Sequence, residues 1–142
     1  MKKHEVREYC DAEFENIDSV LRGFSSIIRK GKNHYTTAEL ASIATFIHNF
    51  YNGLENVLKR ALLFKKAAVK SSSTWHKDLL KESLDQGIIG ASLYNSLSNY
   101  LSFRHFFVHS YVFTLKWKDL KPLVDDLRIT LREFKASIND AI

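Results

Sequence analysis

The sequence has few residues that break helices, with one proline and five glycines in 142 residues. Apolar residues recur at three- and four-residue spacings, which predicts helices and leaves little support for strands. Cys10 is the single cysteine, so an internal disulfide is impossible, and a buried position in a protein of the reducing cytoplasm is expected. Neither a signal peptide nor a run approaching the roughly 20 apolar residues that span a bilayer is present, so we expect neither export nor membrane insertion.

Length and charge narrow the class of protein further. A chain of 142 residues with 45% hydrophobic residues predicts a single domain over residues 1–142. The formal net charge of +5 favours an acidic partner, with nucleic acid as the leading candidate. An ordinary solvated basic surface explains the charge equally well before any motif is considered.

The first half of the chain predicts two long helices. The first is expected from about His4 to Lys30, where a glycine follows. The second is expected to begin at a cap formed by Thr36 or Thr37 and to extend to about Phe64. A glutamate three residues after Thr36 suits a capping box.

The second half predicts one short and two long helices. A short helix is expected over residues 75–80, and the third long helix from near Gly90 through residues 104–111. Asp119 is a candidate cap for the fourth, with Pro122 in the first turn, where its missing N–H is tolerated. The predicted fold is an all-α, up-down four-helix bundle with a short extra helix between the second and third long helices.

Residues 102–111 read SFRHFFVHSY and carry the strongest chemical signal. Arg104 and His109 form an Arg-x4-His pair, which Tyr111 extends to Arg-x4-His-x-Tyr. A guanidinium forks onto phosphate oxygens, and an imidazole exchanges protons near neutral pH, so the pair suits chemistry on a phosphodiester. A second Arg-x4-His pair, Arg29 and His34, spans a predicted loop without aromatic neighbours and is interpreted as a chance copy.

Metal-free cleavage of RNA explains why these residue types occur together. The 2′-OH attacks the adjacent phosphorus, which requires a base, an acid for the leaving 5′-oxygen and a cation beside the phosphorane. His109 suits the proton transfers and Arg104 the charge. Because each chain supplies one His109, a dimer that places two of them across one phosphate would complete the set.

Helix geometry sets a condition on this site. Residues five apart diverge by about 140°, so Arg104 and His109 point in different directions, whereas His105 and His109 differ by about 40° and Arg104 and Tyr111 by about 20°. Convergence on one phosphate therefore requires a long reach of the arginine, a helix end near His109, or the partner subunit.

With these motifs the sequence resembles HEPN-domain ribonucleases of the HepT toxin type. Their defining feature is an Arg-x4-His motif at the end of the third helix of a four-helix bundle. The resemblance extends over nearly the whole chain and is carried by residues 50–55, 75–80 and 103–111.

The resemblance implies a function and partners. Such proteins are toxins of type VII-like HEPN/MNT toxin–antitoxin systems, and they are metal-independent endoribonucleases without a cofactor that act on cellular RNA such as tRNA or mRNA. They work as homodimers with both motifs in one cleft. Their antitoxin, the minimal nucleotidyltransferase MntA, transfers AMP onto the tyrosine of the motif, which here is Tyr111. His105 stands where many relatives carry asparagine, and it either assists catalysis or orients RNA.

Three lysines near the motif, Lys116, Lys118 and Lys121, are expected to contact the RNA backbone, although such charges often only solvate a surface. Trp75 and His76 are interpreted as a packing anchor rather than a site. No metal site is expected, because the cysteine stands alone and the histidines lack an acidic partner. The competing function is a non-catalytic HEPN bundle that binds nucleotide, RNA or a protein partner, and a purely structural module is the third.

Overall fold

The computed structural model describes residues 2–67 and 69–142. Within these residues there is no strand, which confirms the predicted all-helical bundle with a short helix between the second and third long ones. A 3₁₀ turn over Val112–Thr114 precedes the last helix. The α-helices are α1 (Lys3–Ile27), α2 (Thr37–Phe64), α3 (Trp75–Asp85), α4 (Ala91–His109) and α5 (Trp117–Ala141).

Helix α2 lies at the centre and contacts the other four helices. Its closest partner is α1, because Gly53 permits an approach that a larger residue would block. A Cβ atom at Gly53 would lie 2.6 Å from Cγ1 of Ile17. The two helices therefore pack with their backbones close together.

Aromatic side chains join α4 and α5 to this centre. The rings of Phe50 and Tyr100 lie 5.3 Å apart, and the Tyr100 hydroxyl donates a hydrogen bond to the carbonyl of Leu123 at 2.7 Å. The rings of Phe14 and Phe134 meet edge to face at 6.1 Å. Apolar residues thus face a shared core.

No helix in residues 2–67 and 69–142 is both long and apolar enough to cross a membrane.

The junction between α1 and α2 corrects one predicted boundary and confirms another. Helix α1 ends at Ile27 rather than Lys30, because the next residue already adopts extended backbone. The capping box is formed by Thr36. The Glu39 backbone N–H donates to Thr36 Oγ1 at 3.1 Å, and the Thr36 N–H donates to Glu39 Oε1 at 2.8 Å.

The start of α5 differs from the prediction. Its N-cap is Lys116, and Asp119 lies in the first turn rather than at the cap. Pro122 therefore falls inside the helix, beyond the first turn, where an N–H group has no intrahelical partner and its absence costs nothing. The ring of Trp117 packs 4.6 Å from that of Tyr35, and this contact fixes the first turn earlier than the polar residues indicate.

Cys10 is buried on α1, as predicted, and burial raises the pKa of its thiol to about 11. The thiolate is the reactive form of cysteine, so native Cys10 is expected to resist a thiol reagent at pH 8. We expect labelling to follow global unfolding as denaturant increases. Labelling at the rate of a free thiol without denaturant would contradict this expectation.

Candidate functional site

The motif lies where α4 ends. The helix includes Arg104 and runs to His109, and the following residue, Ser110, is extended. Tyr111 therefore lies outside the helix, so the angle expected for a continuous helix does not apply to it. Of the three conditions for convergence on one phosphate, a helix end near His109 is met.

Arg104 faces α2. Its Nε is buried and makes no hydrogen bond within residues 2–67 and 69–142. Burial lowers the pKa of His48, and the positive charge of Arg104 lowers it further. Burial raises the pKa of Tyr51, the negative charge of Glu55 adds to the rise, and Arg104 opposes it. The guanidinium is thus electrostatically coupled to two side chains of α2.

His48 is a neighbour of the motif that sequence reasoning missed. Its ring lies 5.0 Å from that of Phe107 on α4, between Arg104 and His109 in sequence. Nε2 of His48 lies 3.2 Å from Nδ2 of Asn52, so the amide donates to this nitrogen when Nδ1 carries the proton. The lowered pKa keeps His48 neutral at neutral pH, which suits a position beside a cation.

A buried carboxylate, Glu55, lies on α2 two helical turns beyond His48. Glu55 on α2 is 2% exposed, and Nδ1 of His76 on α3 lies 2.9 and 2.8 Å from its two oxygens. The neighbouring Trp75 ring stacks on that of His76 at 3.9 Å, with Nζ of Lys59 over the indole at 4.3 Å. His76 therefore joins α3 to α2 through a hydrogen bond to the Glu55 carboxylate, in addition to the packing that was predicted for it.

His105 and His109 form a pair on the exposed side of α4. Their ring centroids are 4.9 Å apart with planes at 62°, in agreement with the small angle expected between them. In the described part of the chain, no hydrogen bond or ring contact joins either one to Arg104. One chain thus buries Nε of Arg104 and exposes its imidazole pair to solvent.

Two aromatic rings follow the histidines. Tyr111 is 71% exposed and Phe113 is 75% exposed, and their rings lie parallel, with planes at 3° and centroids 5.5 Å apart. Tyr111 also borders a cavity of about 240 Å³ between α2 and the 3₁₀ turn. Phe106, Val108 and Val112 extend the exposed apolar surface around them.

The three predicted lysines lie around the start of α5 and are exposed. Lys116 is the N-cap residue, and Lys118 lies in the first turn. Lys121 forms an ion pair with Asp125 at 2.6 Å, which reduces the charge it offers to a ligand. Within residues 2–67 and 69–142, Lys116 and Lys118 form no ion pair of this kind, so both charges remain available at the helix start.

The described residues include no group of three His, Cys, Asp or Glu side chains that could hold a metal ion. Glu55 is already committed to His76. The groups that the site does offer are a guanidinium, an exposed imidazole pair and an exposed phenol. Such groups bind anions and move protons.

The structure is an all-helical bundle in which helix α4 ends in the Arg-x4-His motif. The family model described as HepT-like protein matches residues 42–142, which is more than half of the chain and includes every residue of the site. The chain belongs to the HepT-like family. It is a HEPN protein of the toxin type, which gives it a toxin–antitoxin context. No curated protein and no solved structure matches the chain.

Proposed function

We propose that this chain is the toxin of a HEPN/MNT-type toxin–antitoxin pair and a metal-independent endoribonuclease that cleaves cellular RNA, tRNA or mRNA. The observation that carries the proposal is the position of the motif at the end of α4, with His109 exposed and Arg104 beside α2. The chain acts as one domain over residues 1–142. Because its substrate is cellular RNA, it acts in the cytoplasm.

The chemistry follows from the two groups. Arg104 binds the scissile phosphate and stabilises the charge that develops on the phosphorane. His109 of one protomer takes the proton of the 2′-OH, and His109 of the other gives a proton to the leaving 5′-oxygen. This division of roles requires a homodimer. The exposed surface of Phe106, Val108 and Val112 beside the motif supports such an interface.

His105 and the lysines have supporting roles in this proposal. The His105 ring lies against that of His109 and orients it toward the substrate. Lys116 and Lys118 bind the RNA backbone, and Lys121 contributes less because of its pair with Asp125. The parallel rings of Tyr111 and Phe113 offer unpaired bases a surface on which to stack.

Control by the antitoxin is proposed at Tyr111. Its high exposure supports access for an MntA-type nucleotidyltransferase, which would attach AMP to the phenolic oxygen. The added phosphate would bring negative charge to an anion-binding cleft, and the adenosine would fill part of it. Both effects exclude RNA.

The first test is cleavage of total tRNA and of a model mRNA in EDTA by protein whose mass shows no modification. We expect cleavage to persist in EDTA and to leave 2′,3′-cyclic phosphate ends, because the 2′-OH is the nucleophile. Protein modified at Tyr111 by the antitoxin is expected to be inactive. Unmodified protein that binds RNA without cutting it would contradict the proposal and favour a non-catalytic HEPN bundle.

A further inference from the structure

Buried polar atoms without a hydrogen-bond partner occur on both α2 and α4, which pack together. Within the described residues, four buried side-chain polar atoms lack a hydrogen-bond partner, and three of them are Nδ1 of His48, Oη of Tyr51 and Nε of Arg104. The fourth, on Trp117, belongs to the start of α5. Folded proteins rarely leave such groups unpaired, and exceptions call for a functional reason. The His48 ring lies 5.0 Å from that of Phe107, one helical turn beyond Arg104, so we treat the three atoms as one site.

The α2 side of this site is a row of polar side chains on one side of the helix. His48, Tyr51 and Glu55 are three and four residues apart, so they lie along one side of α2. Glu55 is the buried carboxylate, and its bond to His76 of α3 fixes its position. Arg104 thus faces an imidazole and a phenol, with a fixed negative charge behind them.

Burial decides what these α2 residues can do. Tyr51 is fully buried, one nitrogen of His48 is bonded to Asn52, and the other is buried. None of these atoms can exchange a proton with a bound RNA. They can act on the reaction through Arg104, whose Nε lies on the buried side of the guanidinium.

We propose that His48 and Tyr51 are positioning residues for Arg104. With the Glu55–His76 pair behind them, they orient the guanidinium so that its Nε edge faces α2 and its Nη edge faces the phosphate. The inference rests on the proposed function, in which Arg104 binds the scissile phosphate. A guanidinium fixed in this way needs no reorganisation when charge develops on the phosphorane. The α2 face thereby becomes part of the active site without touching RNA.

Two tyrosine-to-phenylalanine variants test the proposal. The Tyr51 hydroxyl is buried without a hydrogen-bond partner among the described residues, so Tyr51→Phe should not lower the denaturation midpoint. It should lower kcat for RNA cleavage by about 10- to 100-fold, with little change in KM, because small misplacements of a catalytic group cost this much. Tyr100→Phe is the matched control. It loses the bond to Leu123, so it should lower the midpoint and leave kcat unchanged.

A spectroscopic measurement separates this proposal from the proposed function. The Nε–Hε resonance of Arg104, identified by its loss in Arg104→Lys, should shift in Tyr51→Phe and stay in place in Tyr100→Phe. Equal kcat and an unshifted resonance in Tyr51→Phe would overturn the positioning role. If wild type cuts no RNA while the resonance shifts as expected, the contact is upheld and the ribonuclease proposal fails instead.

Discussion

Arg104→Ala is expected to lower the rate of RNA cleavage by about 100- to 1,000-fold, the usual cost of removing one preorganised donor from a developing oxyanion. His109→Ala is expected to cost about 100- to 10,000-fold, because both the base and the acid of the composite site are lost. His109 is exposed at the end of α4, so its loss should leave the free energy of unfolding nearly unchanged. Single-turnover cleavage in EDTA and denaturant unfolding measure the two quantities.

The chance copy of the motif supplies matched controls. Arg29 and His34 have the same spacing, and both lie exposed in the connection between α1 and α2. Alanine variants at these positions should cleave RNA at the wild-type rate. If Arg104→Ala and His109→Ala also retain that rate, the proposed catalytic roles are wrong.

Mixing wild type with His109→Ala tests whether the site is shared between protomers. A mixed dimer retains both arginines but only one His109, so it lacks either the base or the acid. Exchange of subunits should therefore lower the cleavage rate below that of the same amount of wild type alone, whereas a site contained in one chain would leave the activity of the wild-type chains unchanged.

His76→Ala is expected to lower the free energy of unfolding by about 3–5 kcal/mol, because it leaves the Glu55 carboxylate buried without its partner. Denaturant unfolding of wild type and variant measures this loss.

Two further variants separate buried charge from lost packing. Lys121→Ala breaks an ion pair whose side chains are half exposed, and it should cost less than about 1 kcal/mol. Adding Glu55→Gln to His76→Ala removes the buried charge and should recover part of the stability. Equal losses in the single and double variants would show that packing of the His76 ring, rather than charge, stabilises the α2–α3 contact.

Several features of the fold could be predicted because they depend on neighbours in sequence. The Thr36 capping box needs a glutamate three residues on, and the divergence of Arg104 from the exposed histidines follows from helix geometry. The start of α5 was placed wrongly because it depends on the long-range contact between Tyr35 and Trp117. Local cap residues carry no information about such a contact.

The α2 face of the site was missed for a similar reason. The sequence does contain a signal, because His48 and Glu55 are seven residues apart and so fall on one side of the predicted second helix. Its meaning depends on His76, which is 21 residues beyond Glu55 and is brought to it by the packing of α3 on α2. Which polar residues of a helix are buried and paired is decided by tertiary contacts, so pattern alone could not assign the pair.

The separation of Arg104 from the histidine pair within one chain affects how the cleavage activity depends on protein concentration. Under the proposed mechanism, an isolated protomer can grip a phosphate but lacks the second imidazole needed to cut it. Below the dissociation constant of the dimer, activity would then rise with the square of the protein concentration. A small amount of free protein would therefore cause little cleavage, and a larger amount would cause disproportionately more.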